Sequence, residues 1–233
     1  MSFNHNPNIV RNGLVLCLDA KDLKSYSGSG TTWVDRSGNG YNVTLVNGVS
    51  YSNGAMVFDG VNDYVDCGSV YNFGSSTSKA TIIVWARGSG YMISNRRTSS
   101  NHGWIFVNNT DRIFNLYVDA YGNLPYGESF TQNISSTPFT SLSSDYKMFS
   151  VTIDRSTNKY MLGINSYFSE FTRSFNVEGY QNFNVIDIGR INNFTYNTSY
   201  FNGNINTVQI YNRALSQAEI LQNFNAQKGR YGI

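Results

Sequence analysis

Charge is scarce in this chain: 233 residues carry 17 Lys+Arg and 15 Asp+Glu, a formal net charge of +2, with only 14% of positions charged. No basic field is available to neutralise phosphates, so nucleic-acid partners are excluded. Histidine is nearly missing. His5 and His102 stand alone, there is no G-x-S-x-G, and neither cysteine sits in a reactive setting, which removes nucleophilic triads and zinc clusters. The two cysteines, Cys17 in LVLCLD and Cys67 in DYVDCG, have strand-like surroundings and no C-x-x-C partner. Buried free thiols are the favoured reading, and a bridge between neighbouring strands is the alternative. No window approaches the ~18 consecutive apolar residues of a membrane-spanning helix. The opening MSFNHNPNIVR lacks a basic region leading into an apolar run, so neither a signal peptide nor membrane insertion is expected.

What the chain has is a neutral polar background, rich in Asn, Ser, Thr, Gly and Tyr, around 40% hydrophobic and 15% aromatic residues. That is enough apolar matter for a sizeable core and too much for a disordered chain. The composition disfavours long helices and suits strands joined by tight turns. Short apolar runs recur between Gly and Asn signals and predict strands over 14–19, 42–47, 55–58, 64–67, 80–87, 91–94, 104–108, 112–118, 148–154, 159–164, 185–189 and 204–211. Asn47-Gly48, Asn53-Gly54 and Asp59-Gly60 are turn signals. The length suits one large β domain, divided here as an extended arm over 1–12, a sandwich over 13–226 and a tail over 227–233.

Patterning sorts the strands. In ATIIVWAR, Ile82/Val84 and Ile83/Trp85 make both faces apolar, which places this strand inside a sheet or beneath a loop. In MFSVTID, Phe149/Val151/Ile153 alternate with Ser150/Thr152, which predicts a wet outer face. Phe114, Leu116 and Val118 are likewise expected inward. Residues 216–227 supply the one helical pattern. Ser216 and Glu219 form a capping box, Ala218, Ile220, Leu221 and Phe224 an apolar stripe, and Gly229 the stop.

Glycoside hydrolysis needs two carboxylates flanking the scissile bond. The four glutamates, Glu128, Glu170, Glu178 and Glu219, lie far from one another and from any aspartate in sequence, and Glu219 is taken by the capping box. Close acidic pairs such as Asp59/Asp63 sit in turns, where side-chain-to-backbone bonds explain them. No enzyme is expected. Phe58-Asp59-Gly60-Val61-Asn62-Asp63-Tyr64 groups three oxygen-bearing side chains, and Asp59, Asn62 and Asp63 are the candidate Ca²⁺ ligands. A plain hydrogen-bonded turn is favoured there and in the similar turn at Asp35-Arg36-Ser37-Gly38-Asn39. Tyr and Asn interleave around Tyr121, Tyr126, Tyr196 and Tyr200. Rings stack on the apolar face of a sugar while amides meet its hydroxyls, so these four tyrosines are the candidate ligand-binding residues. Sealing the ends of the sandwich is the competing role.

Several segments together resemble LamG-like domains of the concanavalin A-like lectin/glucanase superfamily. They are Gly13-Leu-Val-Leu-Cys-Leu-Asp-Ala20, Trp33-Val-Asp-Arg-Ser-Gly-Asn-Gly40, Val57-Phe-Asp-Gly-Val-Asn-Asp-Tyr-Val65, Thr81-Ile-Ile-Val-Trp85, Phe149 to Asp154 with Lys159 to Asn165, and Ile210-Tyr-Asn-Arg-Ala-Leu-Ser-Gln-Ala-Glu-Ile220. The resemblance implies an all-β, two-sheet antiparallel jelly-roll sandwich with one short C-terminal helix. It also implies a Ca²⁺ site at a sheet edge, but the acidic strand motif of the glucanase branch has no counterpart here. Asn6-Pro-Asn-Ile-Val10 and Asn223 to Ile233 further resemble LamG-like proteins of tailed phages. That implies a virion protein, assembled in the host cytoplasm, with capsid or tail proteins as partners and a homo-oligomer among the assemblies to be expected. On this expectation the arm and tail are the contact elements, and removal of residues 1–11 leaves a folded monomer. The alternative function is a carbohydrate-binding module for a host-surface glycan.

Overall fold

Apolar residues spaced two apart build strands through most of the chain, in a computed structural model that describes residues 8–71, 79–95, 103–110, 113–119, 128–133, 141, 143–172, 185–191 and 199–233. In chain order the strands are β1 (Leu14–Asp19), β2 (Thr32–Trp33), β3 (Val43–Val46), β4 (Ser50–Ser52), β5 (Ala55–Asp59), β6 (Tyr64–Ser69), β7 (Lys79–Ser94), β8 (Gly103–Thr110), β9 (Ile113–Asp119) and β10 (Glu128–Asn133). There follow β11 (Lys147–Asp154), β12 (Lys159–Ile164), β13 (Tyr167–Thr172), β14 (Val185–Ile188), β15 (Arg190–Ile191), β16 (Ser199–Tyr200) and β17 (Asn202–Tyr211), then helix α1 (Gln217–Gln227) and a 3₁₀ turn, Lys228–Tyr231.

Every pairing is antiparallel. One sheet runs β13-β12-β11-β7-β17, beyond which β17 meets β5 along Asn202 to Ile205 and β1 along Thr207 to Tyr211. The other runs β10-β9-β8-β7-β14-β6-β3-β2. The expected all-β jelly-roll sandwich with one C-terminal helix is what forms. The segments 80–87 and 91–94 are a single strand: β7 lies in the first sheet through Ser89 and in the second from Gly90 on. Asn53 and Gly54 both have positive φ (51° and 80°) and close the β4–β5 hairpin with the two-residue turn that their sequence announces.

The core between the sheets includes Leu16, Leu18, Trp33, Phe58, Val65, Ile82, Val84, Ile93, Phe149, Leu162 and Ile188. A second apolar layer covers the outer face of the first sheet, where Ile83, Trp85, Met148 and Tyr211 meet Val10, Leu215, Ile220 and Phe224. β7 is thus covered on both faces, as its pattern requires. The wet outer face expected on β11 is corrected: Ser150 and Thr152 are buried. Gly163 opposite Ser150 leaves room for its hydroxyl and for the Phe168 ring, while Thr81 draws the 213–215 loop over the sheet. The inward placement of Phe114, Leu116 and Val118 concerns side chains outside the described ones.

The helix buries a different stripe from the one expected. Ala218 is exposed, and the inner face is Ile220, Asn223, Phe224 and Gln227. Two amides belong there because the sheet beneath presents polar groups that need partners. Asn223 Oδ1 accepts from Val10 N (2.7 Å), Asn223 Nδ2 donates to the Tyr211 hydroxyl (2.9 Å), and Gln227 Oε1 accepts from Trp85 Nε1 (2.7 Å). Gly229 does not stop the chain's coil. The 3₁₀ turn continues through it and ends at Gly232, whose φ of 74° is left-handed.

The described parts of both terminal segments, 8–12 and 227–233, pack on their own chain. Val10 is buried and its carbonyl accepts from the Tyr211 hydroxyl (3.0 Å), while Gln222 Nε2 donates to Asn8 O (2.7 Å). Arg230 grips Asp19 through two bonds of 2.7 Å, and Tyr231 stacks on Trp85 with centroids 4.1 Å apart. Val10 and the adjoining Ile9 pack into the second apolar layer, so removal of residues 1–11 takes this packing and the Val10 bonds to Asn223 and Tyr211 from the folded chain.

The predicted capping box is present in full. Ser216 Oγ accepts from Glu219 N, and Glu219 Oε2 accepts from Ser216 N (2.9 Å). Arg213 clamps the same carboxylate from the far side, Nη1 to Oε2 at 3.0 Å. That guanidinium, with the Ser216 bonds, holds the Glu219 carboxyl down at about 2. Ser216→Ala is expected to cost about 1 kcal/mol in chemical denaturation. Because the folded-state pKa is depressed, the stability Glu219 contributes is complete above its ordinary value near 4.5 and fades as pH falls towards 2. Glu219→Gln should flatten that part of the stability–pH curve, and an unchanged curve would assign the acid sensitivity elsewhere.

Candidate functional site

Three of the four candidate tyrosines, Tyr121, Tyr126 and Tyr196, lie outside the described residues. Tyr200 is half-buried on β16, paired with Arg190 of β15. Beside it the Arg190 guanidinium lies flat over the Tyr64 ring at 3.3 Å and bonds Asp187 (2.9 Å). Tyr200 therefore stands at a braced corner of the sandwich, where its own carbonyl also meets Gly90 closely.

Asp59, Asn62 and Asp63 do come together in one turn, with the carboxylates directed at backbone. Asp59 Oδ1 accepts from Val61 N (2.7 Å) and Asn62 N (3.3 Å), and Asp63 Oδ2 accepts from Asp59 N (3.1 Å). The Val61 N–H and its neighbours hold the Asp59 carboxyl below its usual range, whereas burial raises that of Asp63. This is the geometry of the hydrogen-bonded turn. In the second acidic turn Asp35 is saturated: Oδ1 accepts from Cys17 N (2.9 Å) and Ser37 N (2.8 Å), and Oδ2 from Ser37 Oγ (2.6 Å) and Tyr41 N (3.2 Å). No group of three or more His, Cys, Asp or Glu side chains suited to a metal occurs among the described residues. Cys17 and Cys67 are free and buried. Burial pushes the Cys17 thiol up to about 12 and Cys67 well above its ordinary value, so neither is a nucleophile.

A groove of about 330 Å³ opens on the outer face of the first sheet, between the β11–β12–β13 strands and the loop entering α1. Strand register builds its floor. Thr152, Met161 and Glu170 stand side by side across three strands, and Asp154, Lys159 and Thr172 form the next row. Ala214, Leu215, Ser216 and Gln217 make the facing wall. That wall is pinned: Thr81 Oγ1 donates to Arg213 O (3.0 Å) and accepts from Leu215 N (2.9 Å), and the Arg213–Glu219 clamp fixes the helix start. Asp154 is anchored by Lys79 (3.0 Å) and Ser156 Oγ (2.6 Å); burial raises its carboxyl, but these partners outweigh that and hold it below the usual range. The groove thus offers carboxylates, an ammonium, hydroxyls and an amide around the apolar surface of Met161 and the Phe171 rim.

Sequence reasoning missed this groove because β13 was not recognised. YFSEFT holds strand-forming residues but sets Ser169 and Glu170 side by side and so breaks the alternation, and its exposed-to-intermediate positions make it a half-wet edge strand. The signal available was Asn165, whose φ of 55° makes the turn that folds β13 back onto β12.

Neither a family model nor a curated protein matches the chain. Solved structures do. A botulinum neurotoxin serotype D binding domain superposes with a TM-score of 0.69 at 15% identity, covering 94% of this chain and 53% of that one. The serotype C1 binding domain gives 0.65 at 17% identity, with 93% and 52% covered. A serotype D ligand binding domain in complex with N-acetylneuraminic acid gives 0.66 at 15% identity, with 94% and 52% covered. The chain spans about half the length of these neighbours. At such identity the likeness is one of fold, and what this chain shares with these domains is the β-sandwich.

Proposed function

We propose that this chain is a non-catalytic carbohydrate-binding module that holds a saccharide in the groove between the β12–β13 hairpin and the loop entering α1. The observation that carries this reading is the cross-strand array of Thr152, Met161, Glu170, Asp154, Lys159 and Thr172 facing a pinned wall. A sugar presents hydroxyls around an apolar ring face. Carboxylates accept from vicinal hydroxyls, an ammonium and an amide donate to others, and a flat apolar surface receives the C–H face. A wall fixed before binding loses little entropy on capture. The likeness to domains studied as receptor or ligand binders, one with N-acetylneuraminic acid, supports the class of ligand. With half of each neighbour matched, it transfers no residue.

A glycan array followed by calorimetry tests the reading. Glu170→Ala and Lys159→Ala are each expected to weaken the best neutral glycan by about tenfold, the loss of one charge-assisted hydrogen bond. Both side chains are on the surface, so folding is kept. Undiminished binding in both variants, or no binding by the wild type, defeats the proposal.

The setting is a further part of the proposal: a tailed-phage virion, with capsid or tail proteins as neighbours. It rests on the resemblance of the two terminal segments. In the structure their described parts clasp each other against the sheet, so a shared fold element accounts for that resemblance as well as a shared location does.

A further inference from the structure

A second groove, of about 400 Å³, lies at the other end of α1, where residues 8–11 and 226–230 meet β1 and the turn that follows it. Three guanidinium groups, Arg11, Arg36 and Arg230, face two carboxylates, Asp19 and Asp22. A third carboxylate, Asp35, stands behind the lining residue Cys17 but is saturated by its own donors, so the imbalance in the groove is one of hydrogen bonding. Arg230 is occupied, both Nη atoms lying 2.7 Å from the Asp19 oxygens. Arg36 reaches Asp22 through Nε alone (3.1 Å), which leaves its two Nη groups without a bond among the described residues. Arg11 is exposed, and its guanidinium makes no hydrogen bond or ion pair among the described residues. Gln227 has its Oε1 held by Trp85 Nε1 (2.7 Å), so only its NH₂ is left to serve a ligand. Apart from the Asn8 carboxamide, the free side-chain groups around this groove are donors.

A groove that presents unpaired guanidinium donors takes an anion, and the guanidinium fork matches the two oxygens of a carboxylate. Its walls are already set by the Arg230–Asp19 pair and by the Trp85–Gln227 bond, so ordering Arg11 is the main cost of capture. We infer that this groove is an acid subsite that binds the carboxylate of an acidic saccharide through Arg11 and Arg36. That the acid is a saccharide rests on the carbohydrate-binding proposal; the carboxylate rests on this groove alone. The two grooves flank opposite ends of α1, and the first, which holds Glu170 and Asp154, does not suit an anion.

The test is titration of the full chain with glucuronate, glucose and inorganic phosphate. Glucuronate is expected to bind at least tenfold more tightly than glucose. Arg11→Ala and Arg36→Ala should each cut glucuronate affinity about tenfold or more, Arg11→Lys should restore part of it, and Glu170→Ala should leave it intact. Among the described residues the Arg11 guanidinium has no partner to lose, so its variants report binding and not folding. Glucuronate binding no tighter than glucose, or unchanged in Arg11→Ala, overturns the subsite. Phosphate binding as tightly as glucuronate overturns the saccharide part, since the groove then recognises charge alone. Loss of neutral-glycan binding in Glu170→Ala bears only on the first groove, so the two proposals fail separately.

Discussion

Trp85→Ala is expected to lower the stability of the fold by about 4 kcal/mol, in the range typical of large aromatic truncations. Trp85 is fully buried on the outer face of β7, between Phe224 (centroids 5.8 Å, planes 6° apart) and Tyr231 (4.1 Å, 12°). Its indole N–H is the donor for Gln227 Oε1. Alanine removes the stacking surface on both sides and leaves a buried amide oxygen without its partner, so cavity and desolvation terms add. Against a typical total of about 5–15 kcal/mol this is a large fraction. The loss should also be local before it is global. This ring is the contact that helix α1 and the 3₁₀ turn share, through Phe224, Gln227 and Tyr231, so amide exchange over 217–233 should rise before the sandwich strands open. Trp85→Phe keeps a stacked ring and loses the hydrogen bond, and should fall between the two. Urea unfolding gives the magnitude and exchange gives the order; a loss under about 1 kcal/mol would mean that the C-terminal layer is held by something else.

That layer is also where the sequence was hardest to read. Strands with strict alternation or two apolar faces announced themselves: β1 and β12 have the limits that their patterns predict, and ATIIVWAR lies between two covered faces as its composition demands. The capping box is likewise local chemistry between Ser216 and Glu219, three residues apart. The layer over the first sheet is different, because its logic joins residues far apart in the chain, Val10 to Asn223 and Trp85 to Gln227. Asn223 looks like a polar surface residue of a helix until Val10 N and the Tyr211 hydroxyl are set opposite it, and Gln227 until Trp85 Nε1 is. Hydrophobic periodicity cannot see a buried amide, so Ala218 was assigned to the inner face in its place. Both grooves share this property: one needs the register of β11, β12 and β13, and the other the meeting of Arg11 with Arg36 and Gln227. Of the candidate ligand-binding tyrosines only Tyr200 is among the described residues, at the corner where β7 leaves one sheet for the other.

That corner carries the second large effect: Gly88→Ala is expected to destabilise the chain by about 4 kcal/mol, and Gly203→Ala by a similar amount. β7 must bend there to serve both sheets, and β17 crosses it at contact distance. Gly88 has φ +124° and Gly203 φ +146°, conformations open to glycine and strained for other residues. A Cβ on Gly88 would meet the Asn202 carbonyl oxygen and come within 2.7 Å of Gly203 Cα, and one on Gly203 would meet the Arg87 carbonyl oxygen and come within 2.7 Å of Gly88 Cα. The obstacles are backbone atoms in a hydrogen-bonded ladder, so no rotamer relieves them. Backbone strain of about 1–3 kcal/mol and overpacking of similar size therefore add. Gly38 separates the two terms, since its φ is +100° and nothing lies within 4 Å of the added carbon; Gly38→Ala should show the conformational part alone, about 1–2 kcal/mol. The double variant Gly88→Ala/Gly203→Ala should cost less than the sum of the singles, because the strand separation forced by the first methyl makes room for the second. Equal costs for Gly88→Ala and Gly38→Ala would show that β7 and β17 part without penalty, and the bend of β7 would then need another cause than this crossing of two glycines.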